Sequence, residues 1–403
     1  MAASQSSKKR VVDDTEERDS KRQCTAATAS IKREDLQDPT VEPIASTIES
    51  ENAVPAVTVT VTTTTNDELP TTTSELMEVL CGIISDRYTR EEALRTLEKL
   101  NKWAFTKDGD FLKLFHACNG VLIVLNFIKK TMNDGNCVGQ VCMECIEKAA
   151  KVIGMVIYPG ENKVNEDIAN KIATSLMECD GITALINASK EYSGGDDVPQ
   201  LNALYPVWCA LQNISNKMYA IEDLINKDQA IALFDTGIDI ISQLKSVDGP
   251  KASSTLCRVF FTFSNIVSND YVTKKYFQDN DILSKCLEVF KKDDVWTCQG
   301  EELLGSATRF FRSCCSRNLW DKSSDFEMLL PLLVMALKEY PSNSWIRNEA
   351  MYMLDGACSL VTDKKIVERS GVVEVLGSLL NSDDVDEADK NIVRYLIHKI
   401  TAP

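Results

Sequence analysis

An all-α protein is predicted for residues 74–403, behind a tail, residues 1–73, that is expected to be disordered. Three observations predict it. From Glu75 onward apolar residues recur at three- and four-residue spacing, proline and glycine fall mostly between the periodic segments, and strand-like alternation is absent from the body. The punctuation is visible at Pro159-Gly160, Gly194-Gly195, Gly249-Pro250 and Pro341.

The tail has no Phe, Trp or Tyr and carries two Thr-rich stretches, Val57–Thr65 and Thr71–Thr73. Without such groups, burial does not offset the entropy of ordering the backbone. Its charge is segregated. Up to Arg33 there are eight basic and five acidic residues, whereas residues 34–73 hold eight acidic and no basic ones. The alternation Val57-Thr58-Val59-Thr60-Val61 suits a strand, but with no partner strand in sight a flexible linker is expected. Lys8-Lys9-Arg10 and Lys21-Arg22 resemble a bipartite nuclear-localisation signal, and Ile31-Lys32-Arg33-Glu34 resembles a sumoylation acceptor at Lys32.

The first helices have start signals. Thr72-x-x-Glu75 and Thr89-x-x-Glu92 are capping-box patterns, in which the Ser/Thr side chain and the Glu side chain each satisfy a backbone N–H of the first turn. The first precedes the stripe Leu76, Val79, Leu80 and Ile83; the second precedes Leu94, Leu97 and Leu100.

Farther on, a pattern repeats: an apolar residue, a few polar ones, then Gly or Asn/Asp, then a short, strongly apolar helix. It reads FHACNG (Phe115–Gly120), MECDG (Met177–Gly181), FDTG (Phe234–Gly237), FQDND (Phe277–Asp281) and VERSG (Val367–Gly371). Glycine there is expected to supply the positive φ of a sharp turn. Longer helices follow, apolar on most sides, such as Leu204–Ile214 and Ser254–Val267, which neighbours must cover on several faces. Aligning these long helices puts Gly154, Asn213, Asn265, Arg309 and Asp355 at one register, and the later steps match the ~40–47 residues of a helical repeat.

A short helix ending in Gly, a second helix of the type ITALINA (Ile182–Ala188), and a long third helix with ALQNIS (Ala210–Ser215) or TFSNIV (Thr262–Val267) together resemble the armadillo repeat. The resemblance runs from about Glu75 to the carboxyl end. It implies a right-handed superhelical solenoid of about seven armadillo-like repeats whose first and last units are caps. The unit around Phe326–Leu360 departs from the pattern, lacking the Gly turn and starting from Ser324-Asp325, which leaves a HEAT-like geometry open there.

The resemblance further implies that the third helices line a concave groove, where Asn213 and Asn265 hydrogen-bond the main chain of an extended peptide. Arg309 would pair a partner carboxylate and Asp355 a partner cation, and Trp208 would line the groove. Internal satisfaction of these polar groups, and a core position for Trp208, are the competing readings. Nuclear-import receptors place Trp four residues before Asn; here that offset reads Gln212 after Trp208, Lys107 after Trp103 and Gly300 after Trp296, which disfavours that role.

Catalysis and metal binding have little to stand on. The chain has only His116 and His398, neither beside a nucleophile motif, and no phosphate-binding loop. Cys142 and Cys145, with Cys137, Cys118 and His116 nearby, have spacing suited to a metal, but a second pair is missing and MECIEKAAKVIGMVI reads as a core helix. A non-enzymatic protein without cofactor or metal is therefore expected, a cysteine-based enzyme or metal-binding helical protein being the alternative from another class. The fourteen cysteines, scattered through apolar helical runs, are expected to be reduced.

Lys plus Arg number 44 against 60 Asp plus Glu, a formal charge of −16, which disfavours direct nucleic-acid binding. The amino terminus lacks a secretory apolar core, and Gly120–Ile128 and Met328–Leu337 are too short to span a membrane. The expectation is a monomeric scaffold of the cytoplasm, nucleus or both, binding a protein segment with basic stretches. A related expectation is a nucleocytoplasmic regulatory or transport adaptor autoinhibited by its basic tail.

Overall fold

The computed structural model describes residues 68–84, 89–133, 139–158, 163–193, 198–245, 247, 249–291, 300–319, 323–360 and 364–402. The chain divides into two units, Met1–Thr64 and Thr65–Pro403, and the described residues all belong to the second. Leu69 packs on the core and Pro70 is buried, so the packed body begins ahead of residue 74.

The described residues form 18 α-helices and no strand. They are α1 (Thr73–Ile84), α2 (Arg90–Thr106), α3 (Gly109–Ala117), α4 (Gly120–Asn133), α5 (Gln140–Ile157), α6 (Lys163–Glu178), α7 (Gly181–Tyr192), α8 (Val198–Asn216) and α9 (Lys227–Leu244). Then come α10 (Pro250–Ser268), α11 (Lys274–Asp279), α12 (Ile282–Leu287), α13 (Gly300–Ser316), α14 (Ser323–Glu339), α15 (Ser344–Leu360), α16 (Lys364–Arg369), α17 (Val372–Leu380) and α18 (Glu387–Thr401).

The starts follow local chemistry. Thr89 and Glu92 close the expected capping box, the Thr89 N–H donating to Glu92 Oε2 at 2.7 Å and the Glu92 N–H to Thr89 Oγ1 at 3.3 Å. Thr72 Oγ1 receives the Glu75 N–H at 3.2 Å in the same way. Asn226 and Gln229 form a further capping box that opens α9.

Two rows organise the helices. Each long helix packs on the next in the order α2, α5, α8, α10, α13, α15, α18, and a second row runs α1, α4, α7, α9, α12, α14, α17. A repeat-like, all-α body results, with one cluster of buried side chains extending from Leu76 to Ile400. Its middle is aromatic: Phe234 stacks on Phe263 with ring centroids 4.0 Å apart, and Phe260, Phe277 and Phe310 pack around them.

The glycine expectation is corrected in three of the four repeats that contain one. Asn119 and Asp180, at φ 52° and 54°, make the left-handed turns expected of Gly120 and Gly181, which instead open α4 and α7. Short polar side chains tolerate that backbone region, while Gly120 leaves space that the Phe115 ring fills. At Gly237 there is no turn at all; α9 runs through it, and the missing side chain admits the Phe263 ring. Only Gly371, at φ 83°, acts as expected. One continuous helix therefore stands where the sequence pattern predicts two.

Candidate interaction face

Polar residues at or near the register of the long helices link several of them to their neighbours. Asn213 on α8 donates through Nδ2 to the Gly154 carbonyl of α5 at 2.9 Å. Asn101 on α2 does the same from the other side, to the Lys148 carbonyl of α5 at 2.9 Å. Asn265 on α10, only 1% exposed, donates to Ser215 Oγ at 2.9 Å and to Asn216 Oδ1 at 2.7 Å. From α10 to α13, Ser264 and Ser313 share a hydrogen bond of 2.9 Å.

These placements correct the sequence expectation for Asn265, whose amide is enclosed between α8 and α10. Asn213 is half-buried, and its donor is committed within the chain to the kind of main-chain acceptor expected from a partner. Trp208 is also corrected: it is 0% exposed, and its indole N–H donates to Ser189 Oγ at 2.8 Å. An indole aimed across the core finds its hydroxyl partner on α7, so it lines no groove. Asp355, expected to take a partner cation, accepts Lys399 Nζ of α18 at 2.6 Å. Burial works against the Lys399 ammonium, but the hydrogen bond and charge of Asp355 prevail and hold its pKa above the ordinary lysine value.

Arg309 is different. It lies half-buried with its guanidinium 5.5 Å from the Phe261 ring centroid, and among the described residues no carboxylate is within ion-pairing distance. Phe261 in turn stacks on Trp345 of α15, centroids 5.8 Å apart and planes 8° from parallel. That stack crosses α13, and Gly305 is the reason: a side chain there would occupy the place of the Trp345 ring. Glycine at this point serves close approach, since the helix is regular around it.

Further cations alternate with aromatic rings along the same row. Arg258 of α10 lies 5.8 Å from the Tyr205 ring of α8 and donates to Gln212 Oε1 at 3.1 Å and Glu302 Oε1 at 3.2 Å, bridging three helices. Arg312 of α13 lies 4.6 Å from the Tyr352 ring and pairs with Glu349 at 2.8 Å, both on α15. Lys399 completes the series 5.7 Å from the Tyr395 ring. Such contacts are worth about 0.5–1 kcal/mol at exposed sites and hold the guanidinium planes in place.

Sequence reasoning missed this ladder. A signal was present one turn before the register, where Phe261 precedes Asn265 by four residues and Gly305 precedes Arg309 by four. An aromatic residue in one repeat opposite a glycine in the next marks a ring crossing a helix.

The thiols are placed against reactivity. Burial pushes Cys145 and Cys257 up to about 12 and Cys315 up to about 11, and it raises Cys118 and Cys209. Cys142 and Cys145 are buried, Cys118 Sγ lies 3.6 Å from the Thr73 carbonyl, and no group of three or more His, Cys, Asp or Glu able to hold a metal occurs among the described residues. Cys137 lies outside the described residues, as do Lys8, Lys9, Arg10, Lys21, Arg22 and Lys32.

No family model matches the sequence, and no curated protein matches it. Among solved structures, the chain is similar to an engineered protein known from its crystal structure, at 16% identity and a TM-score of 0.45, over 69% of this chain and 96% of that one.

Proposed function

We propose that the body is an armadillo-like solenoid of about seven units that acts as a non-enzymatic scaffold, holding an extended segment of a partner protein across its row of long helices. The units are α1–α2, α3–α5, α6–α8, α9–α10, α11–α13, α14–α15 and α16–α18, each ending in a long helix. Repeats stacked in this way expose one helix per unit along a continuous surface, which suits an extended ligand.

The observation that carries this reading is the location of exposed aromatic rings. Phe105, Tyr352 and Tyr395, at 71%, 51% and 52% exposure, lie on α2, α15 and α18 of the long row, and Tyr158 directly follows α5. Exposed tyrosine and phenylalanine next to fixed cations are typical of partner-binding surfaces. Arg309 stays in the proposed groove as a carboxylate receiver, whereas Asn213, Asn265 and Asp355 act as ties between units. A cytoplasmic or nuclear place and a monomeric state accompany the reading.

The test is photo-crosslinking from two positions of the full chain. A photoreactive phenylalanine replaces Tyr352 on the long row or Met328, also exposed, on α14 of the other row. Partner polypeptides should crosslink from position 352 and not from 328. Crosslinks from 328 alone would reject the long row as the binding face.

A further inference from the structure

The chemistry of the partner follows from the one arginine on the ladder that lacks a carboxylate. We propose that the long-row face receives an acidic segment, with Arg309 taking a partner Asp or Glu side chain; this rests on the reading of that row as the binding face.

Three arginines of the ladder lie on α10 and α13, and two have their charges answered. Arg258 has Glu302 at 3.2 Å, and Arg312 has Glu349 at 2.8 Å. Arg309 has the face of Phe261 instead, and Phe261 is itself held by Trp345 over Gly305. Stacking leaves the N–H edges of a guanidinium available, and its planar fork matches a carboxylate through two parallel hydrogen bonds. The nearest acids in sequence, Glu301 and Glu302, lie about two helical turns back, roughly 10–12 Å at 1.5 Å per residue, where screening in physiological salt weakens their influence.

The formal charge of −16 does not argue against an acidic partner. Eight of the acidic residues fall in residues 34–73, and charge acts on a ligand over about a Debye length, not over a whole chain. The charge left uncompensated at this point of the face is positive. That reverses the partner expected from composition, because Glu302 of α13 and Glu349 of α15 pair with Arg258 and Arg312, and Asp355 of α15 pairs with Lys399.

The experiment measures fluorescence anisotropy of the full chain with three labelled peptides of equal length, alternating Glu and Leu, Gln and Leu, or Lys and Leu. The Glu peptide should bind best and weaken as sodium chloride rises. Arg309→Gln should weaken it roughly tenfold to a hundredfold, the effect of losing a charge-assisted hydrogen-bonded pair. Arg369→Gln, an equal charge change on exposed α16, should leave it unaltered. Arg309→Lys should fall between, keeping charge but losing the fork. Circular dichroism establishes that each variant is folded. If the Gln or Lys peptide binds as well as the Glu peptide, or if Arg309→Gln behaves like Arg369→Gln, the acidic-partner inference is wrong while the binding face stands. Absence of binding by all three peptides rejects both.

Discussion

The side-chain amide of Asn213 donates to the Gly154 carbonyl across 2.9 Å, joining helices whose contacting residues are fifty-nine positions apart. Gly154 is the residue aligned with Asn213 one repeat earlier. The Ala210 backbone sits 3.4 Å from where a Gly154 side chain would start, an ordinary contact distance, and the Lys148 carbonyl accepts from Asn101 in the same way without a glycine. Asn213→Ala should therefore cost about 1 kcal/mol of stability without altering helix content. Urea denaturation checks this, with a lowered midpoint and an unchanged slope expected.

Gly305→Ala tests the stack that crosses α13. Its new methyl competes with the Trp345 ring, so the predicted loss is about 1–3 kcal/mol, against the slight gain that alanine brings to an ordinary helix position. Tryptophan fluorescence should change with the melting temperature, since Trp345 must leave Phe261. A more stable variant with unaltered emission would refute the crossing.

Helices α15 and α18 are joined by a buried ion pair. Arg347, 2% exposed, donates through Nε to Asp389 Oδ2 at 2.9 Å and through Nη1 to the Pro341 carbonyl at 2.6 Å. Arg347→Met alone leaves the Asp389 carboxylate buried and uncompensated and should cost about 3–5 kcal/mol, whereas Arg347→Met with Asp389→Leu should recover much of it. A double-mutant cycle by chemical denaturation measures the coupling, and additive single effects would count against the pair.

Alkaline pH should weaken the fold through its thiols. A thiol whose folded pKa is raised contributes stability that is complete below its unfolded value, near 8.5, and is lost as pH rises toward the folded value. For Cys145 and Cys257 that window extends to about 12, and for Cys315 to about 11. Lys399 acts in the same direction above the ordinary lysine value. The melting temperature should hold up to about pH 8.5 and then decline. Cys257→Val should make the decline shallower.

The same burial predicts slow alkylation. At neutral pH Cys145 and Cys257 should present roughly a thousandfold fewer thiolates than free cysteine. Mass spectrometry after a brief iodoacetamide pulse should find them unlabelled in the native protein and labelled in urea. Fast native labelling at either one would reopen cysteine chemistry.

The helical class, both capping boxes, the long apolar helices and the repeat spacing were legible in the chain, because each depends on residues within a few turns of one another. Thr89 with Glu92 is such a local pair. The turn residue was misassigned at Asn119 and Asp180 because the adjacent glycine is needed for packing, Gly120 making room for the Phe115 ring and Gly181 for Leu125 and Leu176. Trp208 was ambiguous for a related reason: an indole on an apolar helix faces core or groove according to how the helix is rotated against its neighbours.

By itself, then, the sequence determined that the body is helical, where the capped helices start and that long apolar helices recur. Tertiary packing decided which polar groups of each long helix meet the next helix and which remain open. It turned Asn265 inward and Asp355 toward Lys399, while Arg309 came to lie on Phe261 with its charge unanswered. The reason is physical: helix periodicity is set within a segment, but the partner of a side chain is set by the rotation and spacing of two segments more than forty residues apart.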